Sequence, residues 1–424
     1  MTAEIPAGHP RARTELVALC SLAVVVAYSD RVNIAVAAVA MKEHLGWTQS
    51  EKGLVLSSFF IGYMTFMFAS GWLATRFGGR RVLGLAVIAW SACTLLTPPA
   101  AALSLGTLVA ARIAMGLGEA AVFPAAIELY GRRVPLLERT RAVGWLMNGI
   151  PVGTVVGLTA SGWLVGRFGW PMPFYVFGAL GILWAVLWFR TIAGDPASER
   201  RHAGTARPLP GQPDRATASG APVPWRRLLL RAPLWAAVTA HFASVWTLYV
   251  LLSWLPSYFR EVHGVSIANA GFYSAGPWLA MFTVTTIAAP ISDLLVRRGV
   301  GVTRVRKLMQ CAGLAVSAAL LIAARDVHSS GAAFGLLCGA AGALGLTWLG
   351  YAPGLIDLAP RHSALLVGFS NTIATIPGIV GVSVTGWLVD LTGTYASSFA
   401  LTAAVSAIGA VVFATLFSAR PLIE

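Results

Sequence analysis

Four ionisable side chains stand in stretches that are otherwise almost wholly apolar. Asp30 and Arg31 are adjacent in VVVAYSDRVNIAVA (24–37), and Arg112 and Glu119 lie seven residues apart in RIAMGLGEA (112–120). An ionisable group at the middle of a bilayer costs at least ~2.5–3.5 kcal/mol, so such residues need a wet cavity or a partner. Two acids and two bases are able to neutralise one another. Seven residues make nearly two helical turns, so Arg112 and Glu119 share a helix face about 10.5 Å apart along the axis. Asp30 and Arg31 diverge by about 100°, which lets one face the Arg112–Glu119 helix while the other faces a cavity. A carboxyl keeps its charge beside a guanidinium and loses it readily in a dry pocket. Moving the arginine, or binding a competing anion, shifts that balance and ties proton uptake to anion binding. A static ion network that only fixes helix packing is the alternative, although buried pairs are weak stability devices.

The elements that must carry these charges are membrane spans. The chain has 424 residues, 57% hydrophobic and 11% charged, with mean hydropathy +0.72; a soluble chain carries about 25% charged residues. Apolar runs of about 20 residues, enough to cross a ~30 Å hydrocarbon core, recur along its length. They place spans at 15–40, 51–75, 81–101, 104–130, 140–165, 172–190, 233–258, 268–296, 306–324, 331–356, 363–389 and 395–418. Residues 1–14 are polar and no cleavable signal peptide is evident.

Formally the chain carries +14, and the placement of that charge argues for orientation, not nucleic-acid binding. Odd-numbered connections hold few bases (Lys42, Lys52, Arg167, Arg260, Arg325). Even connections and the termini hold most, among them Arg76, Arg80, Arg81, Arg132, Arg133, Arg139, Arg141, Arg297, Arg298, Arg304, Arg306 and Lys307. By the positive-inside rule both termini are cytoplasmic. The cysteines Cys20, Cys93, Cys311 and Cys338 fall within spans without metal-ligand spacing and read as small core residues. No HExxH, Walker loop or CxxC pair is present, so no enzyme and no metal site is expected.

Residues 191–231 are rich in Pro, Gly, Ala and Arg and read as a cytoplasmic linker, with Trp225–Arg231 suited to the membrane surface. GWLATRFGG (71–79), GWLVGRFGW (162–170) and GWLVDLTGT (386–394) echo one another across this break. Internal repeats of span units are a signature of many secondary transporters.

Twelve spans split six and six, with GWLATRFGGRR (71–81) between spans 2 and 3, resemble the major facilitator superfamily. That family's gating loop usually reads Gly-x-x-x-Asp-Arg-x-Gly-x-Arg-Arg. Gly71, Arg76, Gly78, Arg80 and Arg81 match it, while Thr75 stands where the acid is usual. YSDRVNIAVA, WLPSYFREVHGVS (254–266), RIAMGLGEA and DLAPRHSALLVGFSNTIATIPGIVG (357–381) are similar to its anion:cation symporter branch, which includes bacterial sugar-acid and aromatic-acid permeases and the sialate and vesicular glutamate carriers. The resemblance implies Asp30 and Glu119 as protonation sites and Arg31 and Arg112 as the link to substrate. It also implies Tyr28, Tyr63, Asn148 and Asn371 as contacts to substrate oxygens. Ser244 occupies the place where the vesicular glutamate carriers have a second anion-binding arginine, which favours a monoanion. His241 reads as a packing histidine. Span 5 lacks the Gly-Pro-x-x-Gly-Gly element of drug/proton antiporters.

The expectation is thus an all-α polytopic membrane protein of the major facilitator fold. Its parts are a cytoplasmic N-terminus (1–14), a six-helix bundle (15–190), a linker (191–231), a second six-helix bundle (232–418) and a cytoplasmic C-terminus (419–424). It is expected to act as a monomer in a bacterial inner membrane, taking up a small organic anion with protons and no other cofactor. A uniporter or exchanger, a drug-type exporter, and a membrane sensor that binds without transporting are the rival readings.

Overall fold

In the computed structural model, residues 10–192 and 228–422 are described. Most of the expected linker, including Trp225, Arg226 and Arg227, lies outside the described residues, as do residues 1–9 and 423–424. The described residues form fourteen α-helices and two short 3₁₀ turns, with no strand among them. They are α1 (Pro10–Leu45), α2 (Gln49–Phe77), α3 (Gly79–Leu103), α4 (Leu105–Glu119), α5 (Val122–Arg133), α6 (Leu136–Phe168), α7 (Met172–Thr191), α8 (Ala232–His263), α9 (Ile267–Arg297), α10 (Val302–Ala323), α11 (Ser330–Thr347), α12 (Tyr351–Leu358), α13 (Ser363–Thr392) and α14 (Ala396–Leu416).

Among the described residues, twelve spans are long and apolar enough to cross a membrane. Two of them are interrupted. Span 4 (Leu105–Arg133) breaks between α4 and α5, and span 10 (Ser330–Leu358) breaks between α11 and α12. A sequence reading of continuous apolar runs does not reveal either break, because hydropathy is blind to a two- or three-residue change of backbone.

The three Gly-Trp-Leu copies fold alike. Trp72, Trp163 and Trp387 are 60%, 59% and 55% exposed, as suits an aromatic belt. Trp72 meets Phe77 edge-on and Trp163 meets Phe168 the same way. Each copy ends at a glycine with positive φ, Gly78 at 84°, Gly169 at 87° and Gly393 at 69°, where a side chain would be strained.

The chain separates into two compact units. One comprises 1–33, 58–157 and 171–222; the other comprises 34–57, 158–170 and 223–424. The second unit therefore takes in the C-terminal end of α1, the start of α2 and the end of α6. In the first unit, Trp184 stacks on Trp188 at 5.0 Å and donates its indole N–H to the Leu19 carbonyl. In the second, a buried cluster joins the start of α8 to α12 and the end of α14, where Phe413 stacks on Phe417 at 4.2 Å.

Candidate functional site: a charge cluster in the first unit

All four intramembrane charges of the sequence reading come together in the first unit, and each is buried. The close approach of α2 and α4 makes this possible. A methyl group at Gly116 would run into the Phe59 carbonyl, and one at Gly62 into that of Ile113. With both positions bare, the Phe59 and Tyr63 side chains of α2 reach across to α1.

Arg31 of α1 reaches α4. Its Nη2 and Nε donate to the same oxygen, Oε2 of Glu119, at 2.8 and 3.1 Å. Three rings surround its guanidinium, with Cζ 4.5 Å from the centroid of Tyr28 and 4.8 Å from those of Phe59 and Tyr63. A desolvated cation over an aromatic face gains about 2 kcal/mol. These rings hold the arginine's position without neutralising it, so its charge remains available to an anion if Glu119 gives it up. The other Glu119 oxygen, Oε1, is buried with no hydrogen-bond partner among the described residues.

Asp30 does not face a cavity. It is fully enclosed and turned to span 3, where Oδ2 accepts from the Thr94 hydroxyl at 2.7 Å; Oδ1 accepts from Asn33 at 3.0 Å. The Thr94 hydroxyl also lies 3.0 Å from the Trp90 carbonyl, and its one proton serves one acceptor at a time. Thr94 is thus able to donate to an ionised Asp30, or to accept from a protonated one while donating to Trp90.

Arg112 shares the α4 face with Glu119 but does not pair with it. Its Nη1 donates to the Met115 sulfur at 3.0 Å, and its Cζ lies 5.5 Å from the Phe59 ring. Its Nε is buried without a partner among the described residues, while its charge acts on both Asp30 and Glu119.

Tyr28 and Tyr63 are part of the cluster, whereas Asn148 on α6 and Asn371 on α13 are exposed and sit in different units. In the 71–81 stretch, expected to gate, Arg80 donates to the carbonyls of Ile192 and Phe189 and so closes the end of α7; Arg76 and Arg81 are exposed. A carboxylate from elsewhere in the chain stands beside this stretch. Glu128 of α5 accepts the Gly79 N–H at 2.8 Å and pairs with Arg132, placing a carboxylate at the N-terminus of α3. Thr75 itself only bonds back to the Trp72 carbonyl.

Sequence reasoning missed Thr94, Asn33, Phe59 and Glu128. Asn33 was readable, being three residues from Asp30 on the same helix face; the others come from distant segments. It also missed a fifth buried charge, in the second unit. Lys52 is wholly buried, donating to Glu261 at 2.8 Å and Ser257 at 3.0 Å with Trp254 4.8 Å away. Glu261 also accepts from Gln49 and Tyr395. Among the described residues, the other buried polar side chains of the second unit are neutral. His241 meets Ser370 at 2.8 Å and stacks on Tyr351 at 4.1 Å, and Gln310 meets Ser244 at 3.1 Å.

Known proteins match both sequence and fold. The chain is 34% identical over 406 residues to the "Sodium-dependent phosphate transport protein 1, chloroplastic" of Arabidopsis thaliana, covering 96% of this chain and 79% of the relative. It is 33% identical to the "Ascorbate transporter, chloroplastic" of the same plant, covering 95% and 74%. A crystal structure of a bacterial homolog to the human lysosomal transporter Spinster superposes with a TM-score of 0.76 at 21% identity, covering 96% of this chain and 95% of that one; at that identity it speaks for the fold alone. Residues 20–382 match the family profile described as Major Facilitator Superfamily. With its twelve spans, its repeats and these relatives, the chain belongs to the Major Facilitator Superfamily, whose members among its relatives are transporters and not enzymes.

Proposed function

We propose that this transporter carries a small organic monoanion, a sugar acid or other monocarboxylate, in symport with protons by alternating access. The observation that carries the reading is the Arg31–Glu119 pair inside its cage of aromatic rings. The relatives named for phosphate and ascorbate transport agree on anionic cargo.

Protonation of Glu119 removes the charge that holds Arg31, and the caged guanidinium then takes the substrate carboxylate. Arg112, without a carboxylate partner of its own, adds positive potential to the same place. Protonation of Asp30 is accommodated by Thr94, which switches from donor to acceptor in place. With Glu119 protonated and one monoanion on Arg31 the cluster keeps its net charge of zero, so the loaded site changes sides without carrying net charge. On that side the acids release their protons, Glu119 recaptures Arg31 and the anion leaves. One proton per monoanion is electroneutral. A second adds about 2.3 kcal/mol per 100 mV of membrane potential. We place the protein in a bacterial inner membrane on the likeness of its motifs to bacterial sugar-acid permeases.

The test is substrate-induced proton movement in proteoliposomes given sugar acids, aromatic acids, phosphate and dicarboxylates, with and without sodium. One acid class should alkalinise the medium without sodium, and Asp30→Asn and Glu119→Gln should each abolish the signal. Uptake without proton movement, or dependent on sodium, overturns the coupling; binding without accumulation makes the protein a sensor.

A further inference from the structure

Between the N-terminal turns of α1 and α6, at the end of the spans where basic residues collect, lies a cavity of about 470 Å³ that the transport reading does not use. Its origin is a stripe at four-residue spacing on α6: Arg141, Trp145, Gly149, Gly153, Gly157. Along the glycine half, α1 and α6 touch backbone to backbone. A methyl at Gly149 would meet the Ser21 carbonyl, and one at Gly153 the Val25 carbonyl. Along the other half, toward the helix starts, Trp145 and Arg141 take the place of the glycines, and there the wedge-shaped space between the two helices lies.

The wedge is built for an anion with a further polar end. Arg13 and Arg141 stand in its wall with Glu138. The Arg13 Nε is buried and has no hydrogen-bond partner among the described residues, and its approach to Glu138, 3.6 Å, is longer than a hydrogen bond. Val17, Ala18 and Ala142 supply an apolar lining. Two large apolar side chains belong to the same region, Trp145 at 54% exposed and Leu137 at 97%. A tryptophan and a leucine bare to the surroundings, next to arginines, mark the level where headgroups meet acyl chains.

We propose that this wedge holds the headgroup of a phospholipid, with its phosphate against Arg13 and Arg141 and a hydroxyl or ammonium of the headgroup donating to Glu138. The acyl chains then leave past Trp145 and Leu137. Glu138 makes the site selective: phosphatidylglycerol and phosphatidylethanolamine carry a donor beyond the phosphate, and phosphatidylcholine does not.

Thermal unfolding of the full chain in detergent, with each of these lipids or inorganic phosphate added, tests the assignment. The midpoint should rise with phosphatidylglycerol and phosphatidylethanolamine but not with phosphatidylcholine or phosphate. Native mass spectrometry should retain one such lipid. Arg141→Gln, at an exposed position that folding tolerates, should shrink the rise, and Arg13→Gln with Arg141→Gln should abolish it. If the double variant has no cooperative transition, the single variant decides. An equal rise with phosphatidylcholine overturns the headgroup assignment. A rise with phosphate alone makes this a small-anion site instead, and a rise that survives Arg141→Gln undiminished places the lipid elsewhere.

Discussion

Spans 4 and 10 are each broken once, and the two breaks are held by different chemistry. In span 4 the chain turns at Ala120 and Ala121, directly after Glu119, and the Ala120 carbonyl lies 3.0 Å from the Ser70 hydroxyl, which has the Met67 carbonyl as a second acceptor. In span 10 the chain turns at Trp348–Gly350, and the Tyr351 N–H is met by the Gln310 side chain at 3.0 Å. Around the first break stand two acids and two arginines; around the second stand Gln310, Ser244, His241 and Ser370. An unpaired carbonyl still has a spare lone pair and tolerates weak company, whereas a buried N–H has one use and must be met. The comparison teaches that the charged region is built to exchange partners and the neutral region to keep them.

The largest effect should come from Arg31→Met. It strands Glu119 in the interior at a cost of about 3–5 kcal/mol in unfolding free energy and abolishes uptake. Arg31→Met with Glu119→Met should regain most of that stability and none of the transport; a double variant as unstable as the single one would show that the two residues do not act as a pair. Lys52→Met comes next. It removes a charged hydrogen-bond donor from Glu261 and should cost about 2–3 kcal/mol, read by thermal unfolding, while Lys52→Arg should retain part of it. Gln310→Ala leaves the Tyr351 N–H unmet, for about 1–3 kcal/mol, yet the number of protons moved per substrate should stay as in the parent. A changed proton count would place coupling in the neutral region as well and break the contrast. Smallest is Ser70→Ala, about 1 kcal/mol: Pro124 offers the Ala120 carbonyl no helical N–H, and a buried carbonyl left without a donor is tolerated better than a buried N–H. A cost equal to that of Gln310→Ala would erase the distinction between the two breaks.

Twelve spans were legible in the sequence because hydropathy is local, and the four buried charges were legible because they interrupt it. Pairing was less so. Spacing suggested that Arg112 and Glu119 act on one face, but Arg31 took the carboxylate, because the bare Gly62–Gly116 contact and the aromatic cage position it there. Asp30 turned to Thr94, 64 residues away, a contact that no periodicity encodes. Lys52 read as a loop base beside Lys42, since its burial depends on Glu261 and Trp254, more than 200 residues on. The contact of Glu128 with the Gly79 N–H was hidden for the same reason.

The first turn of α2 has a dependence of its own. Thr48 and Glu51 cap it from within, each accepting the other's N–H. The next two N–H groups, of Gln49 and Ser50, donate instead to Asp390 of α13, an exposed carboxylate some 340 positions later in the chain. Water is an adequate replacement for such a cap, which is worth about 1 kcal/mol. Mobile ions screen an exposed contact of this kind and leave the buried Lys52–Glu261 pair nearly untouched. Ionic strength therefore acts on these two ties unequally: a concentrated buffer loosens the outer one and leaves the inner one in place.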